Sequence, residues 1–453
     1  MINYMRSSIY ILLFIAFTHL GCEPVTNQKS KITSGLSDDS LLTLVQQRTF
    51  QYFWEGAEPV SGLARERIHL DGDYPEHDAS VITTGGSGFG MMAILIAIER
   101  GFISREEGFQ RFRHQVDWLA KADRFHGAWS HWIDGTTGKV KPFSENDNGA
   151  DIVETALLMQ GLLAVKQFFI QGNPEEQNLA ADIDKLWREV EWSWFTKGGE
   201  DVIYWHWSPD KGWKMNHPIE GYNECLIVYV LAASSPTYPV STDAFHKGWA
   251  REGQIKHQAM PYNTLLELKH NGAPIFGGPL FWAHYSFLGL DPRNLTDAYA
   301  DYWRHNMNHT LINRQGCVEN PGKFNGYSEK CWGLTASYSP KFYQAHAPGL
   351  ENDHGVISPT AALSSMPYTP EYSLQTMRFF YETLGEKIWG RYGFYDAFSI
   401  HHNWFPSDYL AIDQGPIVVM IENFRTGLLW NLFMQDPDIK RGLDKLGFTY
   451  MNK

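Results

Sequence analysis

The sequence has few cysteines and no excess of basic residues, and both shortages narrow the range of functions. Only 4 of the 453 residues are cysteine, and their spacing fits no zinc-binding pattern. Lysine and arginine total 38 against 51 aspartate and glutamate residues, which gives a formal net charge of −13, and no basic segment stands out. Nucleic acid is therefore not an expected partner.

Motifs that bind phosphate or a cofactor are also missing. The glycine-rich segment TTGGSGFGMM precedes a helical pattern, but no strand or phosphate-binding context surrounds it, which indicates a tight packing turn. Histidine is frequent, with 18 residues, yet apart from the adjacent His401 and His402 the histidines lack metal-ligand spacing. We expect no cofactor and no metal ion.

The first 22 residues differ in kind from the rest of the chain. They contain IYILLFIAFTHLG, an apolar run too short to span a membrane as a stable helix and typical of an export signal. Cys22 follows Leu-Gly in a segment that resembles the lipobox of a bacterial lipoprotein, although the match is imperfect. We expect a signal peptide over 1–22, lipid attachment at Cys22 and a polar tether over 23–40, with simple secretion as the alternative. The protein would then lie in the periplasm or on the outer membrane.

The rest of the chain, 41–453, shows no break in composition and no short-period repeat, which predicts one domain. Its 43% apolar content suffices for a large core. Cys225 lies in an apolar helical segment and is expected to be inert packing. Cys317 and Cys331 flank a loop rich in Gly, Pro and Asn, and for an exported protein both a disulfide and two free thiols remain open.

Helical periodicity dominates from residue 41 onward and predicts an all-α fold. About a dozen helices in one domain favour an (α/α)6 toroid of two concentric rings. ADIVETALLMQGLLAV and PIVVMIENFRTGLLW are apolar on all sides and fit the inner ring, while SREEGFQRFRHQVDWLAKA is amphipathic and fits the outer ring. GAWSHWIDGTTGK and VIYWHWSPDKGWKM predict short hairpins at the mouth. We also expect a helix over 330–337 and a structural ion pair between Glu422 and Arg425.

Acidic residues stand at the start of the apolar helices. Asp147, Asp151 and Glu154 share one helical face that continues into aliphatic residues, so this face points inward. Glu224 and Asp413 precede or begin two further apolar helices. Because the inner helices of such a toroid all run in the same direction, their N-termini gather at one mouth. The sequence therefore predicts a shared acidic pocket.

Converging carboxylates in a cleft with many aromatic residues fit glycoside hydrolysis. One acid must stay protonated to donate a proton to the glycosidic oxygen, and another must be ionised. Crowding raises the pKa of at least one of them. Each acid also has a structural interpretation: Asp147 and Asp413 as helix N-caps, and Glu154 as the partner of a buried arginine. Glu224 has no basic partner nearby in the sequence.

Five long segments, in order, carry a family resemblance: DNGADIVETALLMQGLL, GYNECLIVYVLAASSPTYPV, YSEKCWGLTAS, GVISPTAALSSMPYTPE and DQGPIVVMIENFRTGLLW. They resemble the bacterial glycoamylase-like family, whose characterised members fall in glycoside hydrolase family 144, the β-1,2-glucanases. The likeness runs from about residue 40 to the C-terminus. It implies an (α/α)6 barrel that hydrolyses β-1,2-linked glucan with inversion.

The resemblance also implies roles for individual residues. Glu224 matches the essential glutamate and is expected to be the general acid. Asp151 is the first candidate for activating water, followed by Glu154 and Asp413, and a relay through a substrate hydroxyl is an alternative. Asp147 belongs to the acidic cluster. The aromatic positions that match a sugar cleft, each with ordinary packing as its alternative, are Trp205, Trp207, Trp213 and Trp332.

One segment departs from the family pattern. In ENDHGVISP, His354 enlarges a loop that has a plain Asp-Gly form in relatives, so endo or exo action stays open. Three other functions also remain open: an α-glucan exo-hydrolase, a non-catalytic lipoprotein that captures glycans, and a polysaccharide lyase. Crowded inward acids argue against capture, and the charge of −13 argues against an anionic substrate. The expected partner is a neutral glucan, met by a monomer whose only membrane contact is its lipid anchor.

Overall fold

The computed structural model describes residues 32–70 and 78–450. The predicted signal peptide, Cys22 and the first part of the predicted tether lie outside the described residues. The first helix begins at Asp38, within the segment predicted as tether, because the Ser37 side chain accepts a hydrogen bond from the backbone N–H of Ser40 and so caps that helix.

Helices dominate the described residues, which confirms the predicted all-α class. The α-helices are α1 Asp38–Trp54, α2 Thr84–Glu99, α3 Arg105–Leu119, α4 Ile152–Phe169, α5 Pro174–Arg188, α6 Leu226–Ser234, α7 Tyr302–Glu319, α8 Pro359–Leu363, α9 Pro370–Glu382, α10 Gly385–Ile388, α11 Ala411–Arg425, α12 Leu428–Gln435 and α13 Pro437–Lys445.

The strands are two to four residues long and form small antiparallel sheets of two or three strands. They are β1 Arg67–His69, β2 Val81–Thr83, β3 Trp132–Asp134, β4 Val140–Lys141, β5 Ala150–Asp151, β6 His206–Trp207, β7 Lys256–Ala259, β8 Leu266–Leu268, β9 Ala336–Ser337, β10 Gln344–Ala345, β11 Trp389–Gly390, β12 Gly393–Phe394 and β13 Asp408–Leu410. The sheets have the orders β1-β13, β2-β3-β4, β5-β6, β7-β8, β9-β10 and β11-β12.

The helices fall into two classes by burial. Nearly every residue of α2, α4, α6 and α11 is buried, whereas α3 and α5 bury one face only. Helix α4 is long and apolar enough to cross a bilayer by length and composition, but 89% of it is buried inside the fold, as in a core helix. The sequences predicted to be covered on all sides are therefore the ones that form the core.

Glycine lets α2 and α4 approach each other at backbone distance. A Cβ on Gly88 would lie 2.4 Å from the carbonyl oxygen of Leu157, and a Cβ on Gly161 would lie 2.2 Å from that of Gly88. Any side chain at either position would push the helices apart. The glycine-rich segment therefore serves packing, as predicted, although it does so within the first turns of a helix and not in a turn.

The predicted helix over 330–337 is wrong. Gly333 has φ +130°, a conformation incompatible with a helix. The backbone N–H of Leu334 donates to Oδ1 of Asn313 (3.0 Å), and Nδ2 of Asn313 donates to the carbonyl of Leu334 (3.0 Å). A buried side chain thus replaces the helical hydrogen-bond partners of this segment, and residues Ala336 and Ser337 form a strand instead.

One predicted hairpin is confirmed and the other is rearranged. Strand β3 in GAWSHWIDGTTGK pairs with β4, which follows that segment directly, with Ile133 opposite Val140. In the second segment, β6 pairs with β5, which places His206 opposite Asp151 and Trp207 opposite Ala150. This long-range pairing brings the aromatic segment onto the N-terminus of α4.

The predicted ion pair of Glu422 with Arg425 is also wrong. Glu422 is fully buried and pairs with Arg100 through Nε–Oε2 (2.7 Å) and Nη2–Oε1 (2.9 Å) contacts, which tie α11 to the end of α2. Arg425 instead contacts Asp39 and Gln46 at 2.6 and 2.8 Å. Helical spacing alone suggested Arg425 as the partner of Glu422, but the buried carboxylate is paired instead with Arg100 from another helix.

The cysteines in the described residues are free thiols. Cys225, Cys317 and Cys331 are all buried and unpaired by disulfide. Of the two alternatives that the sequence left open for Cys317 and Cys331, the structure has the reduced form. Burial raises the pKa of Cys331 to about 12, so its thiol is unreactive at neutral pH.

Candidate active site

A cleft of about 480 Å³ opens where four core helices begin. Thr83 caps α2, Glu154 lies in the first turn of α4, Glu224 precedes α6 by two residues, and Leu410 precedes α11. Segments far apart in sequence therefore meet at one mouth. The other lining residues are Glu66, Arg67, His131, Trp132, Phe143, Trp205, Phe281, Tyr285, Tyr338, Tyr343 and Ile412.

Two of the predicted acids, Glu154 and Glu224, line this cleft. Oε2 of Glu154 accepts a hydrogen bond from the backbone N–H of Gly85 (2.7 Å). Burial raises the pKa of Glu154 to about 7, and the nearby Asp151 carboxylate adds to the rise. Burial likewise raises the pKa of Glu224 to about 7, with a further contribution from the charge of Glu154. Near neutral pH this pair can therefore hold one proton and one charge.

Asp151 lies behind the wall of the cleft with no exposed surface. Its Oδ1 accepts the backbone N–H groups of Val153 and Glu154 (both 2.9 Å), so Asp151 is the N-cap of α4. Its Oδ2 accepts from Trp205 Nε1 (3.1 Å) and lies 3.1 Å from Nδ1 of His131. Both oxygens are thus engaged within the protein.

Asp147 is also buried, and its carboxylate lies close to two histidines. Its Oδ2 lies 3.5 Å from Nδ1 of His131, and its Oδ1 lies 3.3 Å from Nδ1 of His206. Burial alone would raise the pKa of Asp147, but hydrogen bonds and charge from these histidines hold that pKa well below its usual range. Asp147 is therefore ionised and serves as a counter-charge and not as a helix cap.

His131, which the sequence did not single out, joins the predicted acids. Besides Asp147 and Asp151, it approaches Glu154, with Nε2 3.9 Å from Oε1, and its ring stacks on Phe143 at 4.1 Å. Burial would lower the pKa of His131, but the charges of Glu154, Asp147 and Asp151 raise it well above the ordinary value. The side chain is therefore an imidazolium in the cleft wall. Its place in a predicted hairpin at the mouth was the available signal.

Asp413 forms a buried carboxyl pair with Asp396 and does not line the cleft. Burial and the Asp396 charge raise the pKa of Asp413 well above its usual range, and burial raises the pKa of Asp396 to about 6. Oδ2 of Asp396 accepts the backbone N–H of Tyr338 (2.8 Å), a residue of the cleft wall. A protonated Asp413 hydrogen-bonded to Asp396 thus supports that wall from behind.

Comparisons with known proteins identify the family of the chain. A family model described as "Putative glucoamylase" matches residues 216–437. The endo-β-1,2-glucanase of Chitinophaga pinensis, solved with sophorotriose and glucose, is 60% identical, with a TM-score of 0.91 over 92% of this chain and 99% of its own. The chain belongs to the glycoamylase-like family. The resemblance to glycoside hydrolase family 144 is thereby confirmed.

A curated relative in the same family is longer. The exo β-1,2-glucooligosaccharide sophorohydrolase of Parabacteroides distasonis is 46% identical over 432 residues, which are 92% of this chain. The chain spans 59% of the length of that relative. At the level of fold alone, the endo-β-1,2-glucanase of Talaromyces funiculosus solved with sophorose is similar, with a TM-score of 0.63 at 11% identity over 88% of each chain.

The four tryptophans predicted to line the sugar cleft lie in three different places. Trp205 lines the cleft. Trp207 packs 4.8 Å from the ring of His126, and Trp213 lies 6.4 Å from the ring of Trp194, so both belong to a neighbouring aromatic group. Trp332 is fully buried in the core, which matches its packing alternative.

A second wall of the cleft was not found from the sequence. Arg67 on β1 contacts Glu66, and its guanidinium carbon lies 5.7 Å from the ring of Trp132 and 5.9 Å from that of Tyr338. Because β1 pairs with β13, these residues stand beside the start of α11. Glu66 and Arg67 belong to no sequence motif, and they reach the cleft only because β1 pairs with β13.

One group within residues 32–70 and 78–450 has the side chains of a metal site. Ligand atoms of His131, Asp147 and Asp151 lie within 4.8 Å of one another. Nδ1 of His131 lies 3.1 Å from Oδ2 of Asp151 and 3.5 Å from Oδ2 of Asp147, so a protonated His131 forms an ion pair with both carboxylates, whereas a cation there would need the neutral ring.

Proposed function

We propose that this protein hydrolyses β-1,2-linked glucan or its oligosaccharides, with inversion at the anomeric carbon. The observation that carries the proposal is that one cleft is lined both by Glu154, in the first turn of α4, and by Glu224, just before α6, each with its pKa raised to about 7. Such a pair supplies a proton donor and a base at neutral pH. The names of two relatives, an endo-β-1,2-glucanase and an exo β-1,2-glucooligosaccharide sophorohydrolase, support the linkage.

Glu224 acts as the general acid in this proposal. Burial favours its protonated form, a hydrogen bond from its own backbone N–H opposes this only in part, and Glu224 has no ion pair with Lys, Arg or His among the described residues. The proton passes from Glu224 to the glycosidic oxygen as the bond to the anomeric carbon breaks. Aromatic residues of the cleft limit the access of water to the bound sugar.

Glu154 activates the attacking water. Of the three candidates for this role, Asp151 has both oxygens engaged, and Asp413 is protonated behind the wall, whereas Glu154 reaches the cleft. The imidazolium of His131 lies 3.9 Å from Oε1 of Glu154 and stabilises its ionised form. Asp147 and Asp151 in turn fix the orientation and charge of His131.

The activity should follow a narrow bell-shaped pH profile. Glu224 must be protonated, so kcat/KM falls about tenfold per unit as pH rises above 7; Glu154 must be ionised, so kcat/KM also falls as pH drops below 7. Because the two carboxyl groups interact, the two apparent pKa values of the profile describe the pair and not one residue each. The profile is measured from initial rates on soluble β-1,2-glucan between pH 5 and 9, about two pH units on either side of the pKa values. A flat plateau across this range would contradict the assignment.

The finer architecture and location belong to the same proposal. We propose that α2, α4, α6 and α11 are members of the inner ring of an (α/α)6 toroid, supported by their burial and by the common end at which they begin. We also propose that the protein is exported and held to a membrane through lipid on Cys22. Metabolic labelling with palmitate tests the anchor: label that persists in Cys22→Ser would refute it.

A product assay tests the function. Purified protein lacking residues 1–22 is incubated in parallel with linear β-1,2-glucan and with soluble starch, and products are sized and their anomers followed by NMR. Products from β-1,2-glucan alone, released as the α-anomer, support the proposal. Glucose from starch would favour an α-glucan exo-hydrolase, which the family-model description suggests. Binding without products would favour a capture protein.

A further inference from the structure

A hairpin separates the cleft from a second hollow in the surface. Strands β9 and β10 pair with Gln344 opposite Ser337, and residues 338–343 form the tip between them. The tip is fixed by Ser339, whose Oγ donates to the carbonyl of Phe342 (2.6 Å) and accepts from the backbone N–H of Phe342 (3.3 Å). The hairpin is therefore an ordered partition and not a loose loop.

The residues of the hairpin divide between the two spaces, and Ser339, Pro340 and Lys341 line the second hollow. Tyr338 and Tyr343 line the cleft, with their rings 6.3 Å apart and perpendicular. Phe342 and Gln344, on the other side, line the second hollow. Both spaces thus share one thin wall, so a chain that leaves the cleft over this wall enters the hollow directly.

The second hollow combines aromatic and polar side chains, as sugar-binding sites do. It has a volume of about 430 Å³, and its lining includes Phe324, Phe342, Gln344, His354 and His402. Phe342 is 61% exposed, which is unusual for phenylalanine and leaves its ring free to stack on a pyranose. The amide and imidazole groups offer donors and acceptors for hydroxyls.

The hollow has the features of a binding site but not of a second catalytic site. Its single carboxylate, Asp353, is buried, and its Oδ1 accepts hydrogen bonds from the hydroxyl of Tyr327 (2.7 Å) and the backbone N–H of Gly355 (3.0 Å). One carboxylate engaged in this way cannot supply the acid and base that hydrolysis needs.

We propose that this hollow is a distal subsite that holds glucosyl residues of a β-1,2-linked chain beyond the cleft. The inference rests on the proposed function and extends it to chain length: long glucans contact both spaces, whereas short oligosaccharides contact the cleft alone. His354, where the sequence is expected to depart from the family pattern, lines the hollow, so a departure there would affect the distal subsite and not the site of cleavage.

The variant Phe342→Ala tests the subsite. Phe342 is exposed and the tip is fixed by Ser339, so the truncation leaves the fold intact. We expect KM for long linear β-1,2-glucan to rise roughly fivefold, as for loss of one aromatic contact, with kcat unchanged. For the shortest oligosaccharide that the wild type cleaves, both constants should stay the same. His354→Ala should give the same pattern.

The variant Phe424→Ala is the matched control. Phe424→Ala removes another partly exposed phenylalanine, 37% exposed, that lines neither space, and it should change neither constant. Equal effects of Phe342→Ala on long and short substrates, or no effect on either, would overturn the subsite while leaving the proposed hydrolase intact. A wild type that cleaves no β-1,2-glucan would overturn both.

Discussion

The variant Glu224→Gln should lose at least about 10³-fold in kcat on β-1,2-glucan while still binding it. Glutamine has the shape of the protonated glutamate and can donate a hydrogen bond to the glycosidic oxygen, but it cannot transfer a proton. Hydrolysis rates and calorimetric titration with glucan separate the two effects. A turnover number within tenfold of the wild type, which corresponds to an activation free energy within about 1.4 kcal/mol, would refute Glu224 as the acid.

The stability of this variant provides an independent check. The pKa of Glu224 in the folded protein, about 7, lies above the ordinary glutamate value of 4.5, so the wild type loses stability as pH rises from 4.5 to about 7. Glutamine never ionises, so the melting temperature of the variant should equal or exceed that of the wild type at pH 8. The control Glu220→Gln changes an exposed residue paired with Arg251 at 3.1 Å, four positions earlier, and should keep full activity.

The variant Glu154→Gln should lose a similar factor, about 10³ in kcat, because Glu66, the other carboxylate beside Glu224 among the described lining residues, is engaged in an ion pair with Arg67. The hydrogen bond from the backbone N–H of Gly85 is retained, since the amide oxygen of glutamine accepts it as Oε2 does. The loss should therefore appear in kcat with the fold unchanged, as measured by initial rates and circular dichroism.

The variant Asp151→Asn is the matched comparison for Glu154. Asparagine caps helices as well as aspartate does, so α4 keeps its cap while the charge next to His131 is removed. We expect only about a tenfold loss, since His131 loses one of its counter-ions but Glu154 remains. If Asp151→Asn were the more damaging substitution and Glu154→Gln kept activity, water activation would belong to Asp151.

The all-α class and the inward acids were predictable because both depend on local periodicity. Nearly continuous apolar character identified α4, α6 and α11 as core helices, and carboxylates at their starts predicted a common mouth. The burial of Asp151 as a helix cap was not predictable, because three acids on one helical face look alike in sequence. Only the pairing of β5 with β6 encloses Asp151 beneath Trp205.

Contacts between distant segments explain the remaining misses. His131 becomes charged only because Asp147, Asp151 and Glu154 surround it, and the hairpin segment alone gives no sign of that. The carboxyl pair of Asp413 with Asp396 joins α11 to the loop after β12, so helix spacing could not reveal it. In each case the role of the side chain depends on a neighbour that the sequence does not place.

A structure of the Glu224→Gln variant with bound β-1,2-glucan is the most direct test of the proposed chemistry. We expect a glycosidic oxygen within hydrogen-bonding distance of the side chain at position 224, about 3 Å. Glu154 should lie on the opposite face of the sugar, about 6.5–9.5 Å away, with a water molecule between it and the anomeric carbon. A glucan whose glycosidic oxygens all lie beyond reach of position 224, or whose anomeric carbon faces Asp151 or Asp413 and not Glu154, would contradict the mechanism.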